Sequence, residues 1–309
     1  MFLEQKAAAE LTEQEIDCLY YTYLKEMQHQ RGIPRYSRAA FEEFLRERVA
    51  SCRVTELTDC GRVVALLIYE TGESPSGAWL DVPVYGYHYV AIRDLSVLFG
   101  QVLRDNVRRT TTVTFSAYAH DTAAHRYLML TRFGACMEYC VRKLSRIAGV
   151  NRTCTVSALT KAEIAEHWEE IWALLDLMLT HLKDSPVFYF GDEFSEESYR
   201  EFFMEEELTV FAARDGDGRI VGLIESNAEK EDFLLNRRPA YNISEAVVYE
   251  PYRRTGVAEA LLACCERDLK KRNIPYSWVN HGTVNPNAMG FWDKYFTPYR
   301  LDFERTIEY

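Results

Sequence analysis

The sequence predicts an α/β fold, mixed and with a mostly antiparallel sheet, built twice in one chain. Three observations predict it. The chain has 309 residues, where one domain usually takes about 100–200. Its apolar residues alternate between a period of two and a helical period. It also carries an internal repeat, which must be read before anything else.

The repeat runs through four segments in the same order. Leu11-Thr12-Glu13-Gln14-Glu15-Ile16 resembles Leu159-Thr160-Lys161-Ala162-Glu163-Ile164. Each opens an amphipathic helix with Thr as the N-cap and an acid three residues on. Ser37–Leu45 resembles Ser195–Phe203, Gly61–Ile68 resembles Gly218–Glu225, and Ala119-His120-Asp121 resembles Asn280-His281-Gly282. These matches predict two copies, 1–147 and 151–309, joined near Ile147–Asn151.

The second copy has the clearer elements. Thr153–Ser157 alternates as a strand, and Lys161–Leu182 and Ser195–Met204 read as helices. Leu208–Ala213 and Arg219–Glu225 are strands around Asp215-Gly216-Asp217-Gly218, a strong hairpin signal. A strand at Asn242–Tyr249, a helix at Gly256–Lys271, a strand at Ser277–Asn280, a helix at Asn287–Tyr295 and a strand at Tyr299–Ile307 follow.

Composition excludes several classes of function. The charge of −11 is wrong for a general nucleic-acid binder, which needs a basic face. No run approaches the roughly 20 apolar residues of a membrane span, and the opening Met-Phe-Leu-Glu-Gln-Lys is charged too early for a secretory leader. The eight cysteines show no CxxC pair of the zinc type and read as reduced thiols, with Cys264 and Cys265 packing on a helix. A cytoplasmic protein without metal or membrane contact is the expectation.

Val247-Val248-Tyr249-Glu250-Pro251-Tyr252-Arg253-Arg254-Thr255-Gly256-Val257-Ala258 is the informative stretch. A strand ends, a turn with two arginines and a glycine follows, and a helix begins. The first turn of a helix offers unpaired N–H groups and partial positive charge. Gly256 and Ala258 keep the backbone approachable, so the stretch suits a pyrophosphate. A Gly256→Glu change is expected to block the phosphates with little loss of fold.

The stretch resembles motif A of the GNAT superfamily of acyl-CoA N-acyltransferases, as Arg253-x-x-Gly256-x-Ala258. Asn285-Pro286-Asn287-Ala288-Met289-Gly290-Phe291-Trp292 resembles that family's Asn-x-x-Ala-x-x-aromatic helix. The resemblance covers about 153–309. The first copy has no such loop between Tyr85–Ile92 and its following helix, and resembles a degenerate GNAT domain. The family implies acetyl-CoA as cofactor, contacted by Val247, Val248, Arg253, Arg254, Thr255, Gly256, Val257, Ala258, Asn285, Ala288 and Trp292.

The family's direct attack of an amine on the thioester needs a base. Glu245, on the strand before the motif, is that candidate, with Glu225 on the preceding strand as the second. The family's acid Tyr, seven residues after the motif Asn, is here Trp292, whose indole cannot serve; Tyr295 is the nearest phenol. His281 reads as a surface or capping residue that could also face the acyl arm. In the family the region between the first two helices walls the acceptor pocket. Here it holds Phe188, Tyr189 and Phe190, which with Glu225 suit an amine with an apolar body.

The function implied is N-acetylation of a primary amine on a small molecule or peptide, by a protein in which the tandem copy can stand in for a dimer. The alternative is a non-catalytic module of the same fold that holds acyl-CoA and works through a partner.

Overall fold

The computed structural model describes residues 2–75, 77–151, 153–184, 186–188, 195–229 and 232–308. They form two compact units: 1–139 together with 298–309, and 140–297. No helix among the described residues is long and apolar enough to cross a membrane.

The first unit runs β1 (Phe2–Ala7), α1 (Glu13–Glu26), α2 (Arg38–Arg48), β2 (Arg53–Asp59), β3 (Arg62–Ser74), β4 (Gly77–Val82), β5 (Tyr87–Tyr89), α3 (Ile92–Asn106), β6 (Thr111–Tyr118), α4 (Thr122–Leu130) and β7 (Gly134–Lys143), which ends in the second unit. The second unit continues with β8 (Thr155–Ala158), α5 (Lys161–Glu166), α6 (Trp168–Lys183), α7 (Glu196–Phe203), β9 (Thr209–Arg214), β10 (Ile220–Asn227), β11 (Ala240–Val248), α8 (Val257–Lys271), β12 (Tyr276–Gly282) and α9 (Pro286–Trp292). The last strand, β13 (Thr297–Ile307), leaves it again.

The repeat is visible in the local chemistry. Thr12 and Thr160 each cap a helix and exchange hydrogen bonds with Glu15 and Glu163, two equivalent capping boxes. Ser37 and Ser195 cap the equivalent helices α2 and α7. Gly61 and Gly218 hold equivalent hairpin turns at φ +74° and +84°, which a side chain strains. The helix expected over Lys161–Leu182 breaks at His167, where φ −101° and ψ +20° leave the helical region.

The sheet of the second unit runs β12-β11-β10-β9-β8. Its pairings are antiparallel except β11 with β12. One face packs Val221, Ile224, Ile243 and Val248 against α8 residues Val257, Leu261, Leu262 and Cys265. The other packs Val210, Ala212, Leu223 and Val247 against α5–α7 residues Ile164, Ile171, Leu174, Leu175 and Phe203.

One expectation about the domains is corrected. The expected boundary assigned everything after 151 to the second copy, yet β13 pairs antiparallel with β6 of the first unit, from Arg300 opposite Tyr118 to Ile307 opposite Thr111. Its Tyr299 and Phe303 are buried, and the ladder keeps the β6 edge from standing open. A chain ending at 297 is therefore expected to lose about 3 kcal/mol or more from the first unit, at about 1.5–3 kcal/mol for each large apolar side chain. Hydrogen exchange checks this: β6 amides should lose protection while β9 and β10 amides keep theirs, and unchanged β6 protection would contradict it.

Candidate functional site

The site begins where β11 and β12 part. The two strands pair through only three rungs, Ala240 with Tyr276, Tyr241 with Ser277 and Asn242 with Trp278. Beyond Asn242, β11 continues to Val248 with its β12-facing edge unladdered, and β12 continues to Gly282. A wedge opens in the sheet, lined by backbone groups that need partners. Val248 O takes one from its own chain, the Arg253 Nε at 2.9 Å.

A bulge on β11 aims the side chains. Ile224 faces Ala246 and Ser226 faces Ile243, so Glu225 faces both Ser244 and Glu245. The extra residue turns the strand locally. Glu245 thereby falls on the α7 side, where Tyr199 Oη donates to its Oε1 at 3.0 Å. Glu225 is fully buried beside it. It accepts hydrogen bonds from Ser244 Oγ and, at 3.4 Å, from Glu245 N, and its Oε2 has no partner among the described residues. Burial, then the charge of Glu245, push the Glu225 carboxyl up to about 8. Burial pushes Glu245 up to about 7, opposed by the Tyr199 hydrogen bond. Burial acts on both carboxyls and the Glu245 charge acts on Glu225, so each holds its proton to higher pH than a free carboxyl does.

The loop after β11 exposes backbone donors. Glu250–Tyr252 form a short 3-10 turn, tied down by Tyr252 Oη donating to Asp215 Oδ2 at 2.9 Å. Arg254 and Gly256 then take left-handed backbone conformations, at φ +61° and +87°, which turns successive N–H groups toward one side. Gly256 is the N-cap of α8, and no side chain among the described residues caps that helix. Asn151 braces the loop through its carbonyls: Asn151 Nδ2 donates to Thr255 O at 2.8 Å and Asn151 N to Gly256 O at 2.9 Å. The brace therefore leaves the loop's N–H groups to another acceptor.

The acid at the third helical position decides whether a helix start stays open. In α8 it is Glu259, which hydrogen-bonds the Tyr295 phenol. In α3 of the first unit it is Asp94, whose buried carboxylate accepts from Ala91 N at 3.1 Å. The first unit's helix start already holds an anion of its own, besides lacking the glycine.

At the far end of the wedge, Asn285 caps α9, its Oδ1 accepting from Asn287 N at 3.2 Å and Ala288 N at 3.3 Å. His181 Nε2, from the last turn of α6, lies 3.2 Å from the same oxygen. His181 was not singled out in the sequence, where nothing but a place at the end of an amphipathic helix marks it.

Several expected site residues lie elsewhere. Trp292 is buried among Phe291, Phe296 and the α8 core, and Ala288 packs against the same cluster. Val257 is buried in that core and can offer a ligand only its backbone. Tyr295 stacks edge-on to Phe291, lies under the Arg142 guanidinium and points at Glu259. Burial and the Glu259 carboxylate raise its phenol above the usual range, which makes it a poorer acid. His281 is buried rather than at the surface, with Nε2 4.0 Å from Cys140 Sγ. Phe188 is 53% exposed at φ +49°, while Tyr189 and Phe190 lie outside the described residues. Cys265 is buried in the core and Cys264 packs against it.

Residues 175–296 match the profile of the acetyltransferase (GNAT) family. The second unit carries a GNAT domain. A GCN5-related N-acetyltransferase from Sphaerobacter thermophilus superposes with a TM-score of 0.57 at 13% identity, over 99% of this chain and 96% of its own. A tandem GNAT protein from the clavulanic acid biosynthesis pathway gives 0.45 at 13% identity, over 99% and 98% of the two chains. A search of curated proteins returned no match. The fold, two GNAT-like units in tandem, is one that supports acyl transfer.

Two consequences can be measured. Gly256 is required by more than its φ, because a Cβ there would lie 2.3 Å from Gly149 O and 2.9 Å from Asn151 N. The expectation that Gly256→Glu spares the fold is thus corrected: the variant should melt several degrees lower even without ligand, as calorimetry would show. Glu225→Gln should act oppositely and with pH. A carboxyl raised from 4.5 to about 8 favours the folded state below its unfolded value and loses that advantage as pH rises through 8. The gain in melting temperature of Glu225→Gln over the native chain should grow from pH 5 to pH 9, and a gain independent of pH would contradict the assignment.

Proposed function

We propose that the second unit is an acyl-CoA-dependent N-acyltransferase, with acetyl-CoA the donor and a primary amine of a small molecule or peptide the acceptor. The observation that carries this is one juxtaposition: the open N–H groups at the start of α8 follow directly on the strand edge that β12 leaves unpaired, and Glu245 stands on that strand. A pyrophosphate suits the helix start. The arm of the cofactor would run along the β11 edge past Val247 and Val248, taking up backbone groups that the wedge leaves free. Arg253, Arg254 and Thr255 flank the phosphates, and Gly256, Val257 and Ala258 supply backbone N–H.

Glu245 is the base in this reading. It is partly exposed on the α7 side, with a pKa near the working pH, as a general base requires. It takes the proton of an ammonium acceptor, and the free amine then attacks the thioester carbonyl. Glu225, with no accessible surface, does not touch the acceptor. Its Oε1 holds Ser244 Oγ and the Glu245 N–H, which fixes the strand at the bulge where Glu245 stands. The departing thiolate takes its proton from water, since the Tyr295 phenol is bound to Glu259. Tyr295 instead keeps Glu259 from capping α8, and Asn285, held by His181, borders the acyl end.

The alternative, a module that binds acyl-CoA without turnover, shares the phosphate loop but gives the paired glutamates no task.

Calorimetry with acetyl-CoA and steady-state assays over amine panels test this. Stoichiometric binding to one site is expected, with kcat/KM rising as pH passes about 7, the value to which burial raises Glu245. Glu245→Gln should lower kcat by about 10²–10⁴-fold with little change in acetyl-CoA affinity. Tyr295→Phe should weaken acetyl-CoA binding more than it lowers kcat, because the freed Glu259 competes for the loop's donors. No binding at all would overturn the reading, and binding with no turnover on any amine would leave the module.

A further inference from the structure

The segment between β7 and β8 is pinned to the second unit from one end of α8 to the other. Near the last turn of α8, Arg142 Nε pairs with Glu266 at 2.5 Å, and Lys270 Nζ donates to Ser145 O at 3.0 Å. Leu144 and Ile147 are buried in the α8 core, and Leu144 N donates to Pro275 O at 2.9 Å. The segment then reaches the start of α8 at Asn151. We propose, on the acyl-CoA reading of the second unit, that Asn151 is a positioning residue. It sets the two peptide planes whose N–H groups receive the pyrophosphate, and thereby the affinity for the phosphate end of the cofactor.

The Asn151 side chain is fixed before any ligand arrives. Its Oδ1 accepts from Thr153 N at 2.7 Å, from Thr153 Oγ1 at 2.8 Å and from Cys154 N at 3.1 Å. This is an Asx turn, and three donors on one oxygen leave no doubt which end of the amide is which. The NH₂ end therefore faces the loop, where Nδ2 donates to Thr255 O at 2.8 Å and to Thr255 Oγ1 at 3.3 Å. The Asn151 main chain adds a third contact, its N donating to Gly256 O at 2.9 Å.

A trans peptide points its N–H opposite to its C=O. Holding Thr255 O aims the Gly256 N–H away from Asn151, and holding Gly256 O does the same for the Val257 N–H. Two successive donors are so turned to one side, as an anion-binding backbone requires. The conformation needs that restraint: Arg254, at φ +61°, holds a left-handed backbone that a residue with a side chain keeps only when its surroundings impose it. Without Asn151 the ligand would have to order the two planes itself, at a cost in affinity.

Asn151→Asp and Asn151→Ala in the full chain separate this role from the turn alone. Aspartate keeps the acceptor for Thr153 and Cys154 but cannot donate to Thr255 O; alanine loses both and adds no charge. Acetyl-CoA binding is measured by calorimetry, and S-acetylpantetheine, the same arm without the phosphates, is titrated by ¹⁵N–¹H NMR. Both variants should bind acetyl-CoA at least about three- to ten-fold more weakly than the native chain, the worth of one hydrogen bond. Their affinity for S-acetylpantetheine should be that of the native chain, and the Gly256 and Val257 amide signals of the free variants should move. Native acetyl-CoA affinity in Asn151→Asp would assign Asn151 to the turn alone and overturn the proposal. An equal loss for both ligands would overturn it as well, since a general loosening of the unit does not distinguish phosphates from the arm. A native chain that binds no acetyl-CoA would overturn the acyl-CoA reading together with it.

Discussion

Three rungs of parallel ladder between β11 and β12 are the constraint on which the second unit depends. Had the pairing continued past Asn242 and Trp278, the β11 edge would be saturated and nothing could add to it. Because it stops, backbone polar groups stand unpaired inside a well-packed unit, a state that folding tolerates only where solvent or a ligand supplies partners. The bulge that sets Ser244 and Glu245 against Glu225 lies just past the last rung. One local irregularity thus coincides with the opened edge and puts two carboxyls on the same face.

The two copies show how little separates an uncapped helix start from one closed by its own acid. Both begin with an acid at the third position. In α3 the acid turns back on the backbone, as Asp94 does on Ala91 N. In α8 a phenol from beyond α9 draws Glu259 aside, and Asn151 buttresses the loop only through its carbonyls. Similar sequence patterns therefore give opposite local electrostatics. The glycine at Gly256 permits the left-handed turn and the close approach of Gly149 together.

Much of this was legible in the sequence, and for physical reasons. Caps, hairpin glycines and helical periods act over a few residues, so Thr12, Thr160, Ser37, Ser195 and Gly218 announced their elements directly. The turn from Arg253 into α8 was legible because a left-handed helix start needs a glycine at one fixed place, Gly256. What was not legible depends on tertiary contacts. The destination of β13 is set by pairing with a strand nearly two hundred residues earlier, which no local pattern encodes. That Glu225 and Glu245 share a face follows from a bulge, which breaks the period-two rule used to assign faces. The place of Tyr295 depended on Glu259, a partner one helix away. Trp292 reads equally as a cofactor contact or a core residue until its neighbours Phe291 and Phe296 are seen around it.

The account stands on the claim that the open N–H groups between Arg254 and Ala258 are a phosphate cradle. Backbone ¹⁵N–¹H spectra of the full chain, with and without CoA, test it most directly. CoA should move the Thr255, Gly256, Val257 and Ala258 amide signals downfield and slow their exchange with solvent, while the Ala91–Asp94 amides of the first unit stay unchanged. Unmoved Thr255–Ala258 amides at saturating CoA would contradict the account.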